Sequence, residues 1–291
     1  MFANALKSVS VYTYPVIISQ RFYDEKVKCS CATFIILNEE GWILTSAHVL
    51  SVLNITKKHN IEYSDYKKMK AEIESDFRLN TKQKNKKIKR LQVNKEWITN
   101  HSYWWGKDGI TIKNFIIDGM ADLATGKIES FDSNSISIYP TFKNPNKELL
   151  TGTSLCRLGF PFHNINATFN KDKNSFQIAP GVLPMPRFPL EGIHTRVAIF
   201  IDEKSKRKAK FIETSSPGLR GQSGGPIFDI HGNIWGLQSR TSHFALGFKP
   251  KVKHGNKETE ENQFLNVGLG THVEEIIRFL TDNKIKFNLS T

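Results

Sequence analysis

Short runs of β-branched and aromatic residues, separated by Gly, Pro, Asn and Asp, recur along most of this chain. Runs of that kind, bounded by turn formers, read as strands. Tyr14 to Ser19, Ala32 to Leu37 and Trp42 to Thr45 are the first three, with a turn at Asn38-Glu39-Glu40-Gly41. Strands are expected again in the region of Leu91 to Thr99, at Gly109 to Ile117, and from Met120 to Ile128. A polar stretch, Asp132 to Leu149, with turn signals at Pro140 and Pro145, looks like the connection between two halves. Beyond it lie Ser154 to Leu158, Ser175 to Ile178, Val197 to Ile201, Phe211 to Thr214, Ile227 to Asp229 and Ile234 to Ser239. So many short strands predict an all-β barrel or sandwich. Two segments break the pattern. In Lys57 to Arg90, Tyr63, Tyr66, Met69, Ile73 and Phe77 recur at helical spacing, followed by a lysine cluster from Lys82. Val273 to Leu280 has the same periodicity and predicts a closing helix with Thr271 as its N-cap.

Composition narrows the class. Hydrophobic residues make up 39% and charged ones 24%, the balance of a globular chain. The formal net charge is +13, and between Lys57 and Arg90 twelve Lys or Arg face five Asp or Glu. Half of the excess therefore sits in one segment, which reads as a solvated helix and loop, or as a docking surface for an acidic protein or nucleic acid. Its aromatics have helix-packing spacing and do not form base-stacking platforms. No basic region with a following apolar run and cleavage site opens the sequence, and no apolar stretch approaches the roughly 18 to 20 residues of a membrane helix. Cys29, Cys31 and Cys156 are an odd number, and the first two are too close for an ordinary bridge. A reducing, cytoplasmic home is expected. Three Asn-x-Ser/Thr matches, at Asn54, Asn166 and Asn288, are then chance. No metal or cofactor is expected.

Candidate chemistry centres on Arg220-Gly221-Gln222-Ser223-Gly224-Gly225-Pro226. A serine hydroxyl becomes a useful nucleophile when the backbone exposes it and aims N–H groups at the oxygen that turns negative under attack. Glycines on both sides permit that backbone, and the amides of Gly221 and Ser223 are the candidate donors. A base and a group to orient it are needed. His48 ends a strand after Ser46-Ala47, where a ring can lean across a cleft, and Asp122 lies between apolar neighbours, where a charge is costly unless paired.

His48, Asp122 and Ser223, in that order on a β-rich chain, resemble the chymotrypsin/trypsin family of serine peptidases. Thr45-Ser46-Ala47-His48 is similar to its Thr-Ala-Ala-His, Asp122-Leu123-Ala124 with Lys127-Ile128 to its Asp-Ile-Ala-Leu-x-Lys-Ile, and Gly221 to Pro226 to its nucleophile motif. Leu158-Gly159-Phe160-Pro161 resembles a turn of the HtrA-like branch, and Gly268 to Val273 the lead-in to the family's last helix. The resemblance implies two six-stranded Greek-key barrels with the site between them. Residues 1–140 would carry His48 and Asp122 and an inserted basic segment 57–92; residues 141–291 would carry Ser223 and end in a helix at 272–283. It also implies a serine endopeptidase with a Ser-His-Asp triad and an oxyanion hole at Gly221 and Ser223. The chain departs from the family in having Val49 where secreted members carry a disulfide cysteine, and Gln222 where zymogens keep an aspartate. No activation by a freed N-terminus is therefore expected. By the same correspondence the substrate pocket would involve Pro217, Arg220, Ser239, Arg240, Thr241 and Gly268. Pro217 brings no carboxylate to its floor, so apolar side chains are expected rather than basic ones. Partners would be a protein or peptide substrate and a regulator at 57–92 or 248–263, with nucleic acid a weaker prospect. The alternative is a protease-fold binding or scaffold module that acts through the basic segment.

Overall fold

The computed structural model describes every residue except Asn256, and at positions 254 and 257 the backbone alone. Twelve strands form two β structures. The first comprises β1 (Thr13–Phe22), β2 (Val27–Ile36), β3 (Trp42–Thr45), β4 (Ile98–Trp105), β5 (Ile112–Asp118) and β6 (Leu123–Ile128), in the spatial order β4-β1-β2-β3-β6-β5. All its pairings are antiparallel. Alternate residues of β1 and β2, such as Val16, Ile18, Phe34 and Ile36, meet Ile43, Ile112 and Ala124 in one buried cluster. The second structure is β7 (Ser154–Gly159), β8 (Phe188–Ile201), β9 (Lys208–Thr214), β10 (Pro226–Phe228), β11 (Ile234–Ala245) and β12 (Phe264–His272). Its order is β10-β7-β8-β9-β12-β11, and β10 also pairs with β11, so this sheet closes on itself. Closure satisfies both edges of every strand in the ring. Phe142, Phe211, Phe228, Ile234 and Leu237 pack in its core.

Among the described residues four α-helices accompany these sheets, with six further short strands outside the twelve. α1 (Ala3–Val11), which the periodicity did not reveal, buries Ala5 and Val9. Its neighbours are those of the second barrel: Phe2 meets Phe228 edge to face at 6.0 Å, and both helix residues share the core of Phe211 and Ile234. The first residues of the 1–140 segment thus pack with the second barrel. The basic segment is a pair of helices, α2 (Ser51–Ser75) and α3 (Thr81–Arg90). The lysine cluster is itself helical, and Asn80 and Gln83 start that helix with a reciprocal capping box. Only the first part of the expected apolar stripe is used. Tyr63 and Tyr66 pack with Tyr23 and Trp97 against β4, whereas Phe77 is 92% exposed. The terminal helix α4 (Val273–Asp282) docks through Val273, Ile276, Phe279 and Leu280. Its cap is His272, one residue beyond the expected Thr271: the ring accepts from the Glu274 amide at 3.2 Å. Among the described residues no helix is long and apolar enough to cross a membrane.

Candidate active site

Ser223 sits in the connection that enters β10, and this connection is tied to the first barrel at several points. The Thr33 amide of β2 donates to the Ser223 carbonyl at 2.8 Å, and the Thr33 hydroxyl donates to the Gly221 carbonyl at 2.7 Å. Gly221 has φ +98°, a conformation L side chains rarely adopt, and a Cβ there would lie 2.3 Å from the Phe160 carbonyl oxygen. Gly224, at φ +81°, lies so close to β2 and β3 that a Cβ would come within 2.2 Å of the Thr33 carbonyl oxygen. The glycines of the motif are thus required by close backbone approach as well as by conformation.

The amides of this turn divide into two sets. Those of Gln222, Gly224 and Gly225 donate to the carbonyls of Leu219, Gln238 and Gln222, at 3.0, 2.8 and 2.8 Å. Those of Gly221 and Ser223 find no protein acceptor among the described residues, and both residues line a cavity of about 700 Å³. Unpaired backbone donors at a cleft are a prepared place for a negative oxygen.

His48 lies in a short 3₁₀ turn, Ala47–Leu50, between β3 and α2, and its ring is half-exposed on the same cavity. Asp122, at the head of β6, holds that turn. Its backbone carbonyl accepts from the Ala47 amide at 3.1 Å, and its Oδ1 accepts from the His48 amide at 3.0 Å. The His48 Nδ1 lies 2.9 Å from Oδ2. The Ser239 hydroxyl, from β11, donates to the same Oδ2. Asp122 is buried and has φ +54°, a left-handed conformation that aspartate tolerates better than most residues. Burial works to raise its pKa, but the His48 ring and the Ser239 hydroxyl outweigh burial, and the carboxyl is held below the usual range. The carboxylate therefore fixes the ring with Nδ1 toward itself and leaves Nε2 for the cavity. Further bonds join the barrels nearby: Ser46 Oγ to the Gln238 carbonyl at 2.9 Å, and Thr271 Oγ1 to the Ala121 carbonyl at 2.7 Å.

The residues assigned to substrate binding are dispersed. Arg220 lines the cavity. Ser239 is engaged with Asp122, and Arg240 stacks over Phe200 and Phe211 at 5.3 and 5.0 Å. The Thr241 hydroxyl donates to the Gly218 carbonyl at 2.6 Å. Pro217 and Gly268 flank the guanidinium of Arg157, which is 1% exposed and donates from Nη1 to the carbonyls of Ser216 and Pro217, and from Nη2 to Thr214 Oγ1. Burial lowers the pKa of Arg157 to about 10. Sequence reasoning passed over Arg157; its one signal was a charge inside the apolar run Ser154 to Leu158. It also passed over Thr33, a polar residue in a buried strand, and the cavity wall formed by Cys29, Cys31 and Phe162. All three cysteines are free. Among the described residues no group of three or more His, Cys, Asp and Glu is placed to hold a metal.

No family model matches this sequence, and no curated protein matches it. Solved structures do. The Rv3671c protease from M. tuberculosis, in its active form, superposes with a TM-score of 0.52 at 11% identity, over 98% of this chain and 86% of that one. The HtrA-type protease AlgW aligns over 97% and 98% of this chain, with a tripeptide and with a decapeptide. Those scores are 0.46 and 0.49, at 12% and 11% identity, and the chain spans 63% and 68% of those longer proteins. With two main β structures of six strands each and a C-terminal helix among the described residues, this chain has a trypsin-like fold.

Proposed function

We propose that the chain is a serine endopeptidase, with Ser223 as nucleophile, His48 as general base and acid, and Asp122 as the group that orients the ring. The observation that carries this reading is the presence, on one cavity, of an imidazole held by a buried carboxylate and of a serine whose own amide and that of Gly221 have no acceptor among the described residues. Ser223 Oγ adds to the carbonyl carbon of a peptide bond while its proton passes to His48 Nε2. The carbonyl electron pair moves onto oxygen, and that oxyanion takes hydrogen bonds from the Gly221 and Ser223 amides. Each donor contributes on the order of 10²–10³ in rate in enzymes of this kind. The pair then returns, the C–N bond breaks, and His48 protonates the leaving amine. Water repeats the sequence on the acyl-enzyme, with His48 taking its proton and Ser223 Oγ recovering one. Asp122 accepts the Nδ1 proton as a hydrogen bond throughout and stabilises the imidazolium.

A fluorophosphonate tests the reading. Covalent labelling of the wild type, absent in Ser223→Ala, is expected; a wild type that neither labels nor cleaves any protein substrate overturns it. The reading extends to a cytoplasmic enzyme restrained by a partner at the helical arm, since α2 begins at Ser51, three residues beyond His48. Unchanged turnover after deletion of 60–88, with and without cell extract, argues against that restraint. The basic face of α3, with no buried residue, favours a second reading as a binding module. Salt-sensitive binding of an acidic ligand, beside an inert Ser223, supports it.

A further inference from the structure

This inference rests on the peptidase reading above and concerns which part of a substrate such an enzyme selects. The protonated ring of His48 must face the departing amine, so the residues that follow the scissile bond lie on the His48 side of Ser223. The cavity opens on that side. Its walls include Val49 and Val52 at the foot of α2, Cys31 and Ala32 of β2, and Phe160 and Phe162 after β7, with Arg220 and His163 among its polar additions. These surfaces are mostly apolar. The Cys31 thiol is pushed up to about 12 by burial and stays a neutral, weakly polar surface at physiological pH.

The opposite side is closed. The two segments that would wall a pocket for the residue before the scissile bond are bolted together by the Thr241 hydroxyl on the Gly218 carbonyl. Gln238 fills what remains: a Cβ on Gly218 would meet its Nε2 at 2.0 Å. Beneath them the Arg157 guanidinium occupies the space beside Gly268, where a Cβ would lie 2.5 Å from Nη1. None of Pro217, Gly218, Ser239, Arg240, Thr241 and Gly268 lines the cavity.

Phe162 points to a ligand on the open side. It is 75% exposed, and its φ of +64° is one that a bulky non-glycine residue adopts only when its surroundings impose it. Its ring stands edge to face with Phe188 at 5.2 Å. Backbone strain and an uncovered aromatic ring together, at the rim of a cavity that holds the nucleophile, are features associated with substrate clamps.

We propose that this enzyme selects its substrates on the leaving-amine side, by seating a large apolar side chain against Cys31, Val52 and Phe162, and discriminates little at the residue before the cut. Product peptides separate the two sides, because a leaving-side product carries its variable residue first, beside a free amine, and an acyl-side product carries it last, beside a free carboxylate. Fluorescein at the far end of each reports binding by anisotropy. Leaving-side peptides beginning with Phe or Leu are expected to bind at least about 10-fold more tightly than those beginning with Ser, the scale on which an apolar pocket discriminates. Acyl-side peptides are expected to differ less than about 3-fold across the same residues, the selectivity of a surface without a pocket. Cys31→Trp, which fills the cavity, and Phe162→Gly, which removes the rim, should both erase the leaving-side preference. Phe162→Gly should do so with an unchanged or higher Tm, because glycine relieves the φ, and a loss of preference through unfolding would show the reverse. The proposal is overturned by stronger discrimination among acyl-side peptides, by absence of leaving-side binding, or by a preference that survives both variants. Fluorophosphonate labelling separates the failures: labelling without leaving-side preference sinks this inference alone, and preference without labelling sinks the peptidase reading.

Discussion

Gly221→Ala tests the proposed oxyanion site at the position where structure leaves least room. The new methyl carbon would stand 2.3 Å from the Phe160 carbonyl oxygen and 2.7 Å from its carbon, both backbone atoms that cannot rotate away. Nor can the turn slide freely, because the Gly221 carbonyl is held by the Phe160 amide at 3.0 Å and by the Thr33 hydroxyl at 2.7 Å. Relief must come from rotation of the peptide that carries the Gly221 N–H, which turns the donor away from the cavity. Loss of one such donor lowers kcat about 10²–10³-fold, equivalent to about 2.7–4 kcal/mol. KM should change little, because the bond strengthens only as the oxygen becomes charged. The unfavourable φ adds about 1–3 kcal/mol of destabilisation. The assay is steady-state cleavage of an unstructured protein substrate, with the rate of fluorophosphonate labelling alongside, since the phosphonyl oxygen needs the same donors. Folded Gly221→Ala protein with kcat within about 3-fold of wild type would falsify the assignment of this amide.

Other outcomes follow from the same geometry. Ser239→Ala deletes a hydrogen bond to a buried carboxylate, a class of interaction that contributes about 1.5–3 kcal/mol. Because the folded-state pKa of Asp122 is depressed, its stabilisation is complete above the unfolded value near ~3.9 and fades as pH falls through the lower folded value. Urea melts should show the Ser239→Ala deficit in full at pH 7 and a smaller one at low pH; a deficit independent of pH contradicts the argument. Val9→Ala removes two buried methyl groups from α1 and is expected to cost about 1–3 kcal/mol, read by the same melts. Neutralising the lysines of α3 should leave the melting curve within about 0.5 kcal/mol of wild type, because that helix buries nothing.

The candidate site was legible where backbone demands restrict the choice of residue. Gly221, Gly224 and Gly225 stand where a Cβ would strike the backbone of another segment, so the motif around Ser223 is written in glycine. Asp122 was legible as a charge among apolar neighbours because burial makes its pairing obligatory. What stayed hidden depends on distant partners. Ser239 looked like a pocket wall because nothing local links it to Asp122, 117 positions away. Arg157 binds carbonyls some 60 residues along the chain, and carbonyls carry no side-chain signature. α1 escaped because its buried face is only Ala5 and Val9, too small a set to establish a period. The apolar stripe read through Met69 to Phe77 found no partner: α2 ends at Ser75, Met69 faces solvent in its latter half, and Phe77 lies beyond its end, away from the aromatic cluster at Tyr63 and Tyr66.

Gln222 has a consequence for how such a turn keeps its shape. The side chain is wholly buried, its Oε1 accepts from the Leu219 amide at 3.0 Å, and the backbone amide of Gln222 returns a bond of 3.0 Å to the Leu219 carbonyl. An uncharged carboxamide thus splints the Ser223 turn from within. Because no proton equilibrium governs that splint and counter-ions have nothing there to shield, the shape of the turn is expected to hold across changes of acidity and ionic strength.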